Sequence, residues 1–392
     1  MRAATIRRAA DACLVLTACS IPLSTTGMQV GIAALGCLAV AAWYVGMPIV
    51  SRTPLDFVLA VCAAAFAAST IASGKLDAPG WTRLWVVIGY YGVFWWLPDG
   101  VAVRRFVRWL VLAAVVAALY GIAQHYTGID WYRGLLGRQR YVRPRIEGAE
   151  GYASVGFFRN YLTYAHVLLV PLGFALAARA RWMRLGAVPA LALALLFSTA
   201  RGAWLAAVAM VLSLMAATRG ASGRLLVVAA VVAVAWVISP GFREQVVPAV
   251  TQGETNAGRI AIYAANLEMV HDRPWFGLGF GRYQRRSQPY YDRHPRADRR
   301  SHAHNNFLQI AAEAGLVGLS AFMLVFATAL RFGVEAVRGV PDPTLRTIAV
   351  GACLAIVGFL VGGLTQYTFG DNEVATAMWV ALGVLMRIRQ MV

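Results

Sequence analysis

Acidic residues are scarce in this chain and lysine is almost absent. Of 392 residues only 18 are Asp or Glu, and Lys75 is the one lysine. Charged residues make up 14% and hydrophobic ones 59%, with a mean hydropathy of +0.60. A soluble domain of this length needs a more polar surface, which excludes that class and predicts an all-α, polytopic membrane protein, one integral domain over 1–392. The five cysteines, Cys13, Cys19, Cys37, Cys62 and Cys353, form no CxxC pair and lie in apolar stretches. They read as small buried hydrophobes and exclude a disulfide framework. There is no DxD pair to hold a metal-bound nucleotide sugar, no HExxH, no repeat at fixed period and no low-complexity tail.

What is present is a series of apolar runs. A spanning helix needs about 20 apolar residues. Twelve stretches qualify, at roughly 10–26, 28–47, 54–73, 81–98, 106–126, 160–178, 186–200, 202–218, 224–240, 305–330, 344–368 and 372–388. The basic N-terminus followed by an apolar run is read as an uncleaved first helix, because further spans follow at once. The seventh stretch is short, carries Pro189, and pairs with the eighth as a hairpin about Ser198–Gly202.

Arginine sets the orientation. With the N-terminus in the cytoplasm, the cytoplasmic segments hold Arg2, Arg7, Arg8, Arg52, Arg104, Arg105, Arg108, Arg179, Arg181, Arg184, Arg219, Arg224, Arg331, Arg338, Arg346, Arg387 and Arg389. The opposite short turns hold only Lys75, as the positive-inside rule requires. That rule accounts for about half of the excess behind the net charge of +18. The remainder sits in two longer segments expected outside, in the periplasm of a cell with two membranes. The smaller, 127–159, holds Arg133, Arg138, Arg140, Arg143, Arg145 and Arg159; the larger, 241–304, holds ten arginines. Long loops escape the positive-inside rule, so the charges need another purpose: solvated surface, contact with anionic headgroups, or an anionic ligand. Arginine suits a diphosphate, because its planar fork donates two hydrogen bonds at once.

Four places carry candidate chemistry. Arg201, in Ser-Thr-Ala-Arg-Gly-Ala-Trp between two apolar helices, is a functional candidate by default, with a snorkelling anchor as the alternative. In the larger loop a helix is expected from Asn256 to His271, stopped by Pro274, with Arg259, Tyr263 and Asn266 on one face. GLGFG after that proline lacks the strand and helix of a dinucleotide site, and its glycines instead permit a tight return. SHAHNNFLQ, 301–309, opens the tenth span. Ser301, Asn305 or Asn306 can cap that helix. His302-x-His304 is too sparse for zinc. His304, at the positive end of a helix and beside an arginine-rich loop, is favoured as a neutral imidazole able to accept a proton. Asp371 and Glu373 either cap the last helix or orient a sugar hydroxyl. Glu313 is the clearest acidic residue inside a span.

STARGAWLA at 198–206, GRIAIYAANLEMVHDRPWFGLGFG at 258–281, HAHNNFLQIAAEAGLVGL at 302–319 and a closing pair of apolar helices together resemble the O-antigen ligase family of membrane glycosyltransferases. The likeness covers about 195–385; the first half matches only in hydropathy and helix number. The resemblance implies transfer of a sugar polymer from undecaprenyl diphosphate to the core sugars of lipid A, at the periplasmic side of the bacterial inner membrane, without metal or cofactor and with inversion. It implies that Arg201 and Arg259 are essential arginines on the donor diphosphate, with Arg282 a weaker one, and that His304 is the essential histidine. Supporting or acceptor-binding roles are open to His302, Asn305, Tyr263, Arg285, Arg286 and Arg293, and Tyr290 and Tyr291 offer faces for sugars. Partners are then the lipid-linked polymer, the lipid A-core acceptor and membrane lipids, with no nucleic acid. Two close rivals share the donor chemistry, an O-antigen polymerase and a protein O-glycosyltransferase. A transporter is the rival of another class, and it fits poorly with polar chemistry gathered at one membrane face.

Overall fold

Eleven of the twelve apolar stretches coincide with helices. The computed structural model describes residues 2–74, 80–138, 140–142, 151–217, 229, 233, 254–297 and 302–392. The ninth stretch, 224–240, lies outside the described residues apart from two isolated positions, as do Lys75, Arg143, Arg145, Arg219 and Arg224. In chain order the helices are α1 (Arg2–Leu23), α2 (Thr25–Tyr44), α3 (Asp56–Ala72), α4 (Ile88–Trp96), α5 (Gly100–Thr127), α6 (Trp131–Leu135), α7 (Tyr161–Ala177), α8 (Val188–Phe197), α9 (Arg201–Ala217), α10 (Glu254–Asp272), α11 (Tyr283–Arg286), α12 (Gln288–Asp292), α13 (Asn306–Gly339), α14 (Pro343–Gly362) and α15 (Asn372–Arg389). An isolated bridge between Ile129 and Tyr141 is the only β pairing among the described residues. By length and composition α2, α5, α13 and α14 are long and apolar enough to cross a membrane, while α3, α7, the 183–197 segment and α9 are shorter apolar helices. The five cysteines are free, and Cys37 is exposed rather than buried.

Polar side chains mark the helix starts. Ser24, Asp99, Asn160, Asn305, Asp342 and Asp371 each accept from main-chain N–H groups one to two residues into the next helix. These caps satisfy donors that an apolar surround would otherwise leave unpaired. The fourth stretch is split, a 3-10 turn over Trp81–Val87 leading into α4. Pro189 sits in the first turn of α8, directly after a π-helical turn over Met183–Ala187.

α14 lies at the centre, packed along α7, α9, α13 and α15. The two ends of the bundle differ in chemistry. At one end Arg104 pairs with Asp342 at 2.6 Å, Arg389 with Glu335 at 2.9 Å, and Arg387 donates to the Pro98 carbonyl at 2.7 Å. At the other end the starts of α9 and α13 meet the 363–371 turn between α14 and α15.

The tenth stretch holds a feature that apolar periodicity does not announce. α13 is broken at Gly315, whose φ of 67° and ψ of −173° belong to a region essentially reserved for glycine. The segment after α10, Pro274–Gly281, inserts into the break. Leu278 N donates to Ala312 O at 2.8 Å and Gly279 N to Glu313 O at 2.9 Å, while Leu316 N donates to Pro274 O at 2.7 Å. The GLGFG glycines therefore do allow a tight return: Gly277, Gly279 and Gly281 all have positive φ. They deliver main-chain groups that replace helical bonds lost at the kink, which an apolar interior requires.

A Cβ at Gly315 would collide with the Trp275 carbonyl as well as strain the backbone. Gly315→Ala is expected to destabilise the protein by about 2–4 kcal/mol. The loss will appear as a lowered thermal midpoint of the purified protein by fluorescence-detected size exclusion.

Candidate active site

The site is assembled by the two asparagines that open α13. Asn305 has extended backbone angles, and its Oδ1 accepts from Phe307 N at 2.8 Å and Leu308 N at 3.0 Å. Its Nδ2 donates across to the Leu364 carbonyl at 3.0 Å. Asn306 is fully buried. Its Nδ2 donates to Thr368 Oγ1 at 2.9 Å, its Oδ1 accepts from Phe369 N at 2.9 Å, and its main-chain N donates to Gly363 O at 2.7 Å. The cap is thus Asn305, while Asn306 fastens the helix to the 363–369 turn. One helical turn on, Gln309 Oε1 accepts from Ala303 N at 2.7 Å and holds the chain before the cap.

That chain carries the histidines. His304 has φ +51°, a left-handed conformation uncommon outside glycine. Its Nδ1 lies 2.9 Å from Gln366 Oε1. Its main-chain N donates to His302 Nδ1 at 3.3 Å, and the two imidazole rings are 4.2 Å apart, edge to face.

Three consecutive residues of the 363–371 turn receive three separate parts of the chain. The Leu364 carbonyl accepts from Asn305 and also from the Tyr263 hydroxyl of α10, at 3.1 Å. Thr365 lies against Gly202, where a Cβ would overlap its hydroxyl, so only glycine admits this approach. Gln366 holds His304. Arg201, which precedes Gly202 and opens α9, is exposed, and the turn before it carries Thr199 at φ +66°. Arg259 is exposed one helical turn before Tyr263 on α10. Gly202, Tyr263 and His304, each next to or one helical turn from a residue predicted from a separate motif, therefore meet at one turn. Asn266, two turns along the same helix face as Arg259, is fully buried against Tyr283 and Tyr291.

The other arginines of the large loop divide by burial. Arg282 is 2% exposed, beneath Gly279. Arg286 donates to the Leu278 carbonyl at 2.8 Å and to the Ser73 carbonyl at 2.9 Å. Its guanidinium holds the inserted segment to the end of α3. Arg293 lies over the Tyr290 ring at 4.7 Å and 3.4 Å from Glu268, which also meets His294 Nε2 at 2.7 Å. Arg285 is exposed.

Sequence reasoning missed three residues here: Gln366, Tyr367 and Arg83. No motif surrounds them, and Arg83 stands more than two hundred positions from its partners. Arg83 Nη1 donates to the Tyr367 hydroxyl at 2.9 Å and lies 3.4 Å from Glu313 Oε1. The fully buried Glu313 also accepts from Gln309 Nε2 at 2.9 Å and Gly281 N at 3.0 Å. Its carboxylate therefore joins the inserted segment, the start of α13 and the first half of the chain. At the end of the turn Asp371 caps α15 and accepts from Thr163 at 2.5 Å. Burial pushes its carboxyl up to about 7, opposed by the Thr163 hydrogen bond and reinforced by neighbouring Glu373. Among the described residues no group of three or more His, Cys, Asp or Glu is placed to hold a metal ion.

Two outcomes follow from these caps. Asn305→Ala should cost at least the roughly 0.5–2 kcal/mol of an N-cap, about 1 kcal/mol being typical, and Asn305→Asp should recover the capping part but not the bond to the Leu364 carbonyl. Thermal midpoints will separate the two. Asp371 binds its proton more tightly in the folded state than in the unfolded one. Its contribution to stability therefore falls as pH rises from about 4 to about 7. Asp371→Asn should flatten that part of the pH–stability curve; an unchanged slope would assign it to another group.

Residues 185–323 match the family model described as O-antigen ligase. The matched segment spans less than half of the chain and holds Arg201, Arg259 and His304. No curated protein matches the chain.

Proposed function

We propose that this chain belongs to the O-antigen ligase/polymerase family and, as an O-antigen ligase, transfers a polysaccharide from undecaprenyl diphosphate to a sugar hydroxyl of lipid A-core. The observation that carries the reading is the meeting of α9, α10 and the HNN segment on Leu364, Thr365 and Gln366. The elements that carry the exposed Arg201 and Arg259 reach the same turn as His304, which supports a site with the residue types that displacement of a diphosphate needs. An apolar cavity of about 330 Å³ begins beside this turn at Phe369 and is lined by Phe66, Leu84, Tyr91, Phe326 and Trp379. A lipid-borne donor has use for such a surface next to its headgroup.

In this reading His304 takes the proton from the acceptor hydroxyl as its oxygen attacks the anomeric carbon. The bond from that carbon to the diphosphate oxygen breaks, and the undecaprenyl diphosphate leaves with the electron pair. The configuration at carbon inverts, and no covalent enzyme intermediate forms. Arg201 and Arg259 meet the charge that grows on the leaving diphosphate, an electrostatic contribution that is commonly the largest one. Arg285 and Arg293 are the remaining candidates for the anionic acceptor, while the buried Arg282 supports the fold around Gly279. The basic bundle end carrying Arg104, Arg387 and Arg389 faces the cytoplasm under the positive-inside rule, which puts the His304 end at the periplasmic face of the inner membrane.

The test is transfer by purified protein, with donor and core lipid extracted from a strain lacking this gene. His304→Ala should lower turnover about 10²–10⁴-fold, the usual contribution of a positioned base, with the protein still monodisperse. Arg201→Ala and Arg259→Ala should lose donor affinity or rate, and EDTA should change nothing. Near-normal turnover of His304→Ala would remove the base. Elongation of lipid-linked sugar without transfer to core lipid would make the protein a polymerase.

A further inference from the structure

A neutral imidazole is a base at one nitrogen only, and its partner at the other nitrogen decides which. We infer that Gln366 is a positioning residue for transfer, its side-chain carbonyl accepting from His304 Nδ1–H so that the proton-accepting lone pair sits on Nε2. The inference rests on the proposed role of His304 and adds to it a residue beyond the 185–323 family match.

The geometry supports it at both ends of the contact. Nδ1 and Oε1 are 2.9 Å apart, an ordinary hydrogen bond. A carbonyl oxygen only accepts, so Nδ1 must carry the hydrogen. On the Gln366 side the main chain is held in both directions. Its N donates to Gly362 O at 3.2 Å, and its O accepts from Thr368 N at 3.0 Å. The neighbours on either side are fastened too, Leu364 by Asn305 and Tyr263, Tyr367 by Arg83, and Thr368 by Asn306. The amide thus starts from a fixed backbone. On the His304 side the left-handed φ and the Asn305 cap fix where the ring departs from the chain. Such an arrangement costs energy at His304 and is maintained by the contacts around it. A glutamine does this work without adding charge. A carboxylate in its place would also select the tautomer, but it would favour imidazolium and oppose the negative diphosphate.

The titratable and charged groups around this contact are His302 on the same segment, Tyr367 on the turn with the Arg83–Glu313 pair behind it, Arg201 at the start of α9 and Arg259 on α10. All of them remain in Gln366 variants, so any change is read against one background.

The experiment measures kcat against pH, at saturating undecaprenyl-diphosphate-linked donor, for the full chain and for Gln366→Glu, Gln366→Leu and His304→Ala. Gln366→Glu should move the acid limb of kcat to higher pH by about one unit or more, because a carboxylate beside an imidazole favours its charged form. Gln366→Leu should lower kcat by up to about 10²–10⁴-fold, the contribution of a correctly placed base, with the donor KM little changed. An acid limb that stays in place in Gln366→Glu, with His304→Ala inactive, overturns the inference and leaves the base intact. A fully active His304→Ala overturns the base itself. If the variants do not fold, the wild-type protein labelled with ¹⁵N-histidine decides: a His304 signal of the Nδ1–H tautomer supports the inference, and the Nε2–H tautomer refutes it.

Discussion

Asn306 makes three hydrogen bonds from a fully buried position, to Gly363, Thr368 and Phe369, and the rest of the site depends on them. They tie the first turn of α13 to the 363–371 turn, two segments about sixty residues apart. An asparagine carries both donors and an acceptor on one short arm, which an apolar residue or an acid does not. Without this tie Leu364, Thr365 and Gln366 would have no fixed relation to the helix start, and Tyr263, Gly202 and His304 would have no common point to meet.

A second constraint acts along the same helix. Breaking α13 at Gly315 leaves main-chain groups that an apolar interior cannot satisfy, and the 274–281 segment satisfies them. That segment is continuous with α10, so the helix bearing Arg259 and Tyr263 is anchored through its own C-terminal end. Glu313 lies beside the break and accepts from Gly281 N, Gln309 and Arg83. The ion pair with Arg83 makes the first half of the chain part of the same assembly, although that half carries none of the recognisable motifs. Buried charge is costly unless paired and hydrogen-bonded, and Glu313 has both kinds of partner. Fold stability and site geometry are therefore hard to separate at this end of the bundle.

Much of this was readable from the residues alone. Apolar runs of spanning length located the helices because length and hydropathy are local properties. The α10 helix, the α8–α9 turn at 198–200 and the capping role of an asparagine before α13 were also local, each signalled by a short run of residue types. Non-local matters were not visible. GLGFG showed that a tight turn was coming, but not that its amides would fill a break in α13. Asn266 shares a helix face with Arg259, but its burial against Tyr283 of α11 and Tyr291 of α12 could not be read from that spacing. Arg286 looked like another free cation in a basic run, and only the fold shows its two carbonyl partners. Gln366 and Arg83 had no signal at all, since nothing about a lone glutamine or arginine near an apolar run distinguishes it from its neighbours.

The central claim is that Arg201, Arg259 and His304 surround one diphosphate at the 363–371 turn. An experimental structure of the full chain with undecaprenyl diphosphate bound tests it most directly. The account predicts diphosphate density within hydrogen-bonding distance of both guanidinium groups and beside the His304 ring, with the isoprenoid chain entering the cavity at Phe369. Diphosphate held elsewhere, with neither Arg201 nor Arg259 touching it, would contradict the account.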